Sequence, residues 1–145
     1  MKLISFFLAT MNRITDLEET IIKIYEQDYK NFEIVIVDNG SSDGTFEMVK
    51  KYPNINYTHL KENIGAIPAR NMAMRKCKGE ILVSLDDDSS PGKNSITKIA
   101  EIFNDENIGL ISFKILDYFQ YNEKYYELAK YKSKNIVDNY FWSGC

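Results

Sequence analysis

A chain of 145 residues that is 44% hydrophobic and 27% charged has the size and balance of one globular domain with a real core, which excludes a disordered or fibrous protein. The formal net charge of −3 leaves no basic footprint and argues against a nucleic-acid partner. Two cysteines, Cys77 and Cys145, cannot make a disulfide framework, and no stretch approaches the roughly 20 apolar residues of a membrane span, so a cytoplasmic location is expected.

The first apolar run, Leu3 to Ala9, predicts a buried strand. It is only a strand's length and leads straight into polar Thr10-Met11-Asn12-Arg13, unlike a signal peptide. Thr15-Asp16-Leu17-Glu18 has the spacing of a capping box, opening a helix with Leu17, Ile21, Ile24 and Tyr25 at helical intervals. Ile34-Val35-Ile36-Val37 is continuous and β-branched, as suits a parallel strand buried on both faces. It ends in the turn-rich Asp38-Asn39-Gly40-Ser41-Ser42-Asp43-Gly44, and a short helix with Phe46 and Val49 follows.

Asn56 to Leu60 predicts a third strand. Beyond Asn63-Ile64-Gly65, Pro68 suits the first turn of a helix that buries Ala69, Met72 and Ala73 and stops near Lys78-Gly79. Ile81 to Leu85 is a fourth strand. A further helix carries Ile96, Ile99, Ala100 and Phe103, capped by Asn94 or Ser95, and Gly109 to Leu116 is a fifth strand. From Asp117 onwards tyrosines, phenylalanines and Trp142 are interleaved with lysines and asparagines without clear period, and packing explains them better than an acceptor-binding wall. The expected division is a domain over residues 1–116 and a connecting segment over residues 117–145.

Strand and helix alternate, which predicts a parallel α/β sheet with helices on both faces. In such sheets ligands collect at the carboxyl ends of the strands. That rule gathers three polar ends: Thr10-Met11-Asn12-Arg13, Asp38-Asn39 and Asp86-Asp87-Asp88. The acid triplet is the most unusual of them. Three adjacent carboxylates repel one another at the end of an apolar run, and a divalent cation such as Mg2+ or Mn2+, shared with a substrate's phosphates, would relieve that repulsion. A solvated acidic loop is the plainer explanation of the triplet alone. Strand alternation would place Asp86 and Asp88 on one side and Asp87 on the other. Asp38 is suited to accept hydrogen bonds from a base or ribose. Arg70, just inside its helix, would meet a phosphate or fix one of the acids. Neither Gly-x-Gly-x-x-Gly nor a Walker loop is present, so dinucleotide and P-loop sites are excluded.

Four segments in order resemble the family 2 glycosyltransferases, the inverting enzymes of the GT-A fold. They are Ser5 to Arg13, Tyr29 to Thr45 with its Asp38-Asn39-Gly40-Ser41, Asn63 to Asn71, and Gly79-Glu80 leading into Leu85-Asp86-Asp87-Asp88. The resemblance implies a GT-A (Rossmann-like), mostly parallel sheet and a nucleotide-sugar donor, with UDP- or dTDP-sugars favoured. It implies a base flanked by Ala9, Thr10, Met11 and Asp38, a ribose or sugar near Asp86, and Mg2+ or Mn2+ on Asp88 with Asp86. Arg13, Asn39, Gly65, Arg70 and Asp87 complete the donor-binding set. Two departures stand out. The family often has Pro-Thr-Tyr where this chain has Ala9-Thr10-Met11, and Asp-Asp-Gly-Ser is commoner than Asp38-Asn39-Gly40-Ser41, so which of Asp38 and Asn39 meets the base stays open.

Trp142-Ser143-Gly144-Cys145 resembles the segment that precedes the acceptor-binding half in this family. The general base is therefore expected beyond Cys145, and the chain is expected to be a donor-binding half that binds nucleotide without transferring sugar. The apolar patch such a division leaves would favour self-association. The acceptor is expected to be a glycan or a lipid-linked one, with the full-length parent free to lie peripherally on a membrane. The alternatives are a non-catalytic nucleotide-binding module and a sugar-nucleotidyltransferase, the latter lacking its usual Gly-rich N-terminal loop here.

Overall fold

The computed structural model describes residues 1–113, in which β1 (Ile4–Thr10), α1 (Ile14–Tyr25), β2 (Phe32–Asp38), α2 (Thr45–Val49), β3 (Ile55–His59), α3 (Ala66–Arg75), β4 (Ile81–Ser84) and α4 (Ser95–Ile102) follow one another. Met1–Ile108 forms one compact unit. The four strands are all parallel, in the order β3-β2-β1-β4. The apolar runs account for this order. β1 and β2 are buried along most of their length on both faces, as central parallel strands must be.

One face of the sheet carries Ile4, Phe6, Leu8, Ile34 and Ile36. Against it pack Leu17, Ile21 and Ile24 of α1, Met48 and Val49 of α2, and Ile96 and Ile99 of α4. The other face carries Phe7, Val35 and Val37 beneath α3, whose Ala69 and Ala73 let the helix lie close. Helices therefore cover both faces. None of the helices among the described residues is long and apolar enough to cross a membrane.

Several local expectations are corrected. The capping box does not form: α1 begins at Ile14, which places Thr15 inside the first turn, and the N-cap residue Arg13 makes no side-chain cap bond. The Ile14 N–H instead donates to Asp43 Oδ2 at 2.9 Å, an acceptor brought in by the loop after β2. A carboxylate from a distant segment has replaced the local hydroxyl. Asp43→Ala is expected to cost about 1 kcal/mol in urea unfolding, as for loss of a helix cap, whereas Thr15→Ala should be close to neutral.

In α2 Met48 is buried and Phe46 is 46% exposed, with Lys50 Nζ 3.7 Å from its ring centroid. A helix of five residues turns too little of its surface inward to bury both Phe46 and Met48. Asn94 occupies the N-cap of α4 with φ +59° but makes no side-chain cap bond. Gly109 to Phe113 carry no strand. The rest of the expected fifth strand, the boundary after residue 116, and the aromatic segment with Trp142 lie outside the described residues.

Candidate functional site

The strand order reverses between β1 and β4, because the chain runs outward through β2 and β3 and returns to the other side of β1. Such a reversal leaves a crevice beyond the carboxyl ends of the two strands. β4 pairs with β1 only as far as Phe7↔Ser84, after which Leu85 N donates to Phe7 O at 3.2 Å. The acid triplet thus runs on beside the last residues of β1.

β4 stops at Ser84, so the triplet lies beyond the ladder, and each of its acids takes its own partners. Asp86 pairs with Arg70 of α3. Asp87 turns inward and is 8% exposed, accepting from the Thr10 hydroxyl at 2.7 Å. Asp88 pairs with Arg13 at 2.9 Å, and Arg13 also lies 3.7 Å from Asp87. Asp87 and Asp88 therefore share one arginine, and Asp86 has another.

Burial pushes the Asp87 carboxyl above its ordinary range; the Thr10 hydroxyl and Arg13 oppose that shift and Asp88 adds to it. Arg13 is itself raised, chiefly by its bond to Asp16. Thr20 of α1 holds the loop from below, its hydroxyl lying 3.0 Å from Asp87 O and 2.9 Å from Ser89 O. Thr20 falls between Leu17 and Ile21 on the buried face of its helix. A hydroxyl at a core position was the available sequence signal for this role.

The loops after β1 and β2 are joined. Asn12, at φ +52°, donates its backbone N–H to Ser41 Oγ and accepts from Ser42 N–H through its side-chain Oδ1, both at 2.8 Å. Asn39 is buried and binds the loop before α3: its amide donates to Asn63 Oδ1 at 2.7 Å, and its Oδ1 accepts from Ile64 N–H at 2.9 Å. Asn63 Oδ1 also accepts from Gly65 N–H at 2.8 Å, and Asn63 Nδ2 lies 3.1 Å from Met11 Sδ. Gly65 takes φ +93°, a conformation that favours glycine, as it leads into α3. Ala9 and Thr10 end β1, and Met11 follows beside this cluster.

Asp38 is fully enclosed. Its Oδ1 accepts from Ser41 N–H at 2.8 Å, while Oδ2 accepts from the Tyr57 hydroxyl and lies 3.0 Å from His59 Nδ1. Burial works against its charge, but the bonds from Ser41, Tyr57 and His59 outweigh burial and hold the carboxyl below its ordinary range. Tyr57 and His59 are the functional neighbours that sequence reading missed. Their signal lay in register, since parallel pairing sets Asp38 opposite His59.

A divalent cation asks for hard oxygen donors, and the crevice holds two. Asp86 spends Oδ1 on Arg70 and Asp88 spends Oδ2 on Arg13, so each carboxylate has a second oxygen. No three His, Cys, Asp or Glu side chains among the described residues converge as a metal cage. Asp86 and Asp88 are thus the carboxylates here that could contribute oxygens to a cation.

Fold and crevice together define a GT-A domain. The chain superposes on the mannosyltransferase PcManGT from Pyrobaculum calidifontis, solved with GDP-Man and Mn2+, with a TM-score of 0.68 and 30% identity, over 74% of this chain and 34% of that one. It superposes likewise on S. aureus TarS 1-349 in complex with UDP-GlcNAc, with a TM-score of 0.65 and 31% identity over 73% and 32% of the two chains. The chain belongs to glycosyl transferase family 2, whose model matches residues 5–143. A putative teichuronic acid biosynthesis glycosyltransferase of Bacillus subtilis, TuaG, is 31% identical over 68% of this chain and 41% of its own length. The uncharacterized glycosyltransferase YfnE of the same organism is 32% identical over 87% of this chain and 35% of its own. The chain thus spans less than half the length of these relatives.

Proposed function

We propose that this chain forms the donor-binding part of a metal-dependent, inverting glycosyltransferase that uses a nucleoside-diphosphate sugar. The observation that carries the reading is the pairing of the acid triplet with Arg13 and Arg70 at the strand reversal. Alternating acids and guanidinium groups suit a diphosphate bridged by a cation. The nucleotide sugars bound by the two structural relatives support the same class of ligand.

In this reading Asp88, with Asp86, holds Mg2+ or Mn2+, which offsets the charge that develops on the departing nucleoside diphosphate. Arg13 and Arg70 flank the phosphates. Asp87, bonded to Thr10, fixes the loop that carries its two neighbours. Ala9, Met11, Asn39 and Gly65 shape the base end, with Asp38 bracing it from behind. UDP and dTDP are the favoured nucleotides, and the acceptor is a hydroxyl of a glycan or lipid-linked glycan. That hydroxyl, deprotonated by a general base, attacks the anomeric carbon opposite the leaving group, which inverts the centre.

Titration calorimetry of the chain with UDP, dTDP and GDP, with and without Mn2+, tests this. Binding is expected to require Mn2+ and to weaken about 100-fold in Asp88→Asn, the upper range for damage to a metal site. Metal-independent binding that is equal in wild type and variant would sink the proposal.

A further inference from the structure

We infer that Arg13 is an internal counter-cation that competes with the divalent metal for Asp88 and is released to the phosphates when the donor arrives; this rests on the proposed function above. The guanidinium spreads its nitrogens over three acids. Nη2 lies 2.9 Å from Asp88 Oδ2, Nη1 lies 3.7 Å from Asp87 Oδ1, and Nε lies 3.1 Å from Asp16 Oδ2. These contacts differ in kind. Asp16 is three residues along in the first turn of α1 and tethers the arginine locally. Asp88 belongs to the far side of the crevice, 75 residues away in sequence. Asp87 has its other oxygen committed to Thr10.

The side chains of Arg13 and Asp88 are 45% and 47% exposed, so their pair is not locked by packing. A planar guanidinium can give up its contact through Nη2 while Nε keeps the bond to Asp16. In the absence of nucleotide, a cation on Asp88 would share one carboxylate with a fixed positive charge, and the two repel. The diphosphate reverses that relation, because its oxygens attract both the metal and Arg13. Metal and nucleotide then favour each other's binding, and linkage makes the favour reciprocal. Arg13 is thus a positioning residue that delays the metal until the donor is present.

The test is Mn2+ binding followed by electron paramagnetic resonance, with and without UDP, for wild type, Arg13→Met and Arg13→Lys. Methionine keeps an apolar stem and removes the charge. Without nucleotide, Arg13→Met is expected to bind Mn2+ about 10-fold more tightly than wild type, and at saturating Mn2+ to bind UDP about 10-fold more weakly, within the usual range of coupling between sites. Arg13→Lys, which keeps the charge, should fall near wild type in the first measurement. General damage to the fold would weaken both bindings, so the opposite signs distinguish the proposed role from a structural one. Mn2+ binding to Arg13→Met that is equal to or weaker than wild type overturns the inference. If Mn2+ fails to bind wild type even with UDP, the donor-site reading falls as well.

Discussion

Gly79→Ala is expected to lower the stability of the chain by about 3 kcal/mol, the upper range for forcing extra atoms into a packed site. A Cβ at Gly79 would lie 2.6 Å from Ser5 Oγ and 2.7 Å from both Leu3 O and Ser5 N. Two of those atoms are backbone of β1 or its approach and cannot rotate aside. The surroundings are also tied together. Gly79 N–H donates to Ser5 Oγ at 2.7 Å, the Ser5 hydroxyl donates to Glu33 at 2.6 Å, and Glu33 accepts from Lys78 N–H at 2.6 Å. Relief would require β4 to move away from β1, breaking the contacts of Glu80 and Ile81 N–H with Leu3 O and the ladder that starts at Ile4↔Ile81.

The acid triplet continues from that strand, so the same shift would weaken Mn2+-dependent nucleotide binding. Urea unfolding measures the first effect and calorimetry the second. Gly92→Ala is the control, since nothing lies within 4 Å of a Cβ there. A Gly79→Ala chain as stable as that control would refute the steric argument.

Gly79 also illustrates what could be read in the sequence. Its place in a Gly79-Glu80 segment was a motif, but the reason for it, a close approach to β1, required the sheet to be assembled. The strands were legible because continuous β-branched runs such as Ile34 to Val37 have few alternatives once turns bound them. The crevice was legible because parallel sheets direct their polar strand ends to one side. Partners distant in sequence were not. The capping box of Thr15 and Glu18 satisfied a local rule, yet Asp43 reached Ile14 first, and no local pattern reports a carboxylate from 29 residues away. The triplet shows the same limit. Its acids were visible, but their partners, Arg70 for Asp86 and Arg13 for Asp87 and Asp88, come from other elements that only the assembled sheet brings near.

Asp38→Ala is expected to cost about 3 kcal/mol, because it leaves buried donors without an acceptor. The carboxylate serves Ser41 N–H, the Tyr57 hydroxyl and His59 Nδ1 from a position with no exposure. An ionised carboxylate only accepts, so His59 presents an N–H at Nδ1. Asp38→Asn offers one oxygen where two were used and turns an amide toward a donor, so it should recover only part of the loss.

The pH dependence separates this role from simple packing. The Asp38 carboxyl is held below its ordinary value of 3.8, so its contribution is present above that value and disappears as pH falls through the lower folded one. The wild type should therefore lose its advantage over Asp38→Ala in strong acid. Tyr57 is shifted the other way, upward, by burial first and then by the neighbouring Asp38. Its contribution is present below its ordinary value of 10 and is lost as pH rises above it. The difference in unfolding free energy between wild type and variant should form a plateau through neutral pH that falls at both ends. The loop braced by Asp38 also holds Asn12 and Ile14, so nucleotide affinity should fall along with stability. If Asp38→Ala instead lost nucleotide affinity at unchanged stability, the carboxylate would be contacting the base directly rather than bracing the loops that surround it.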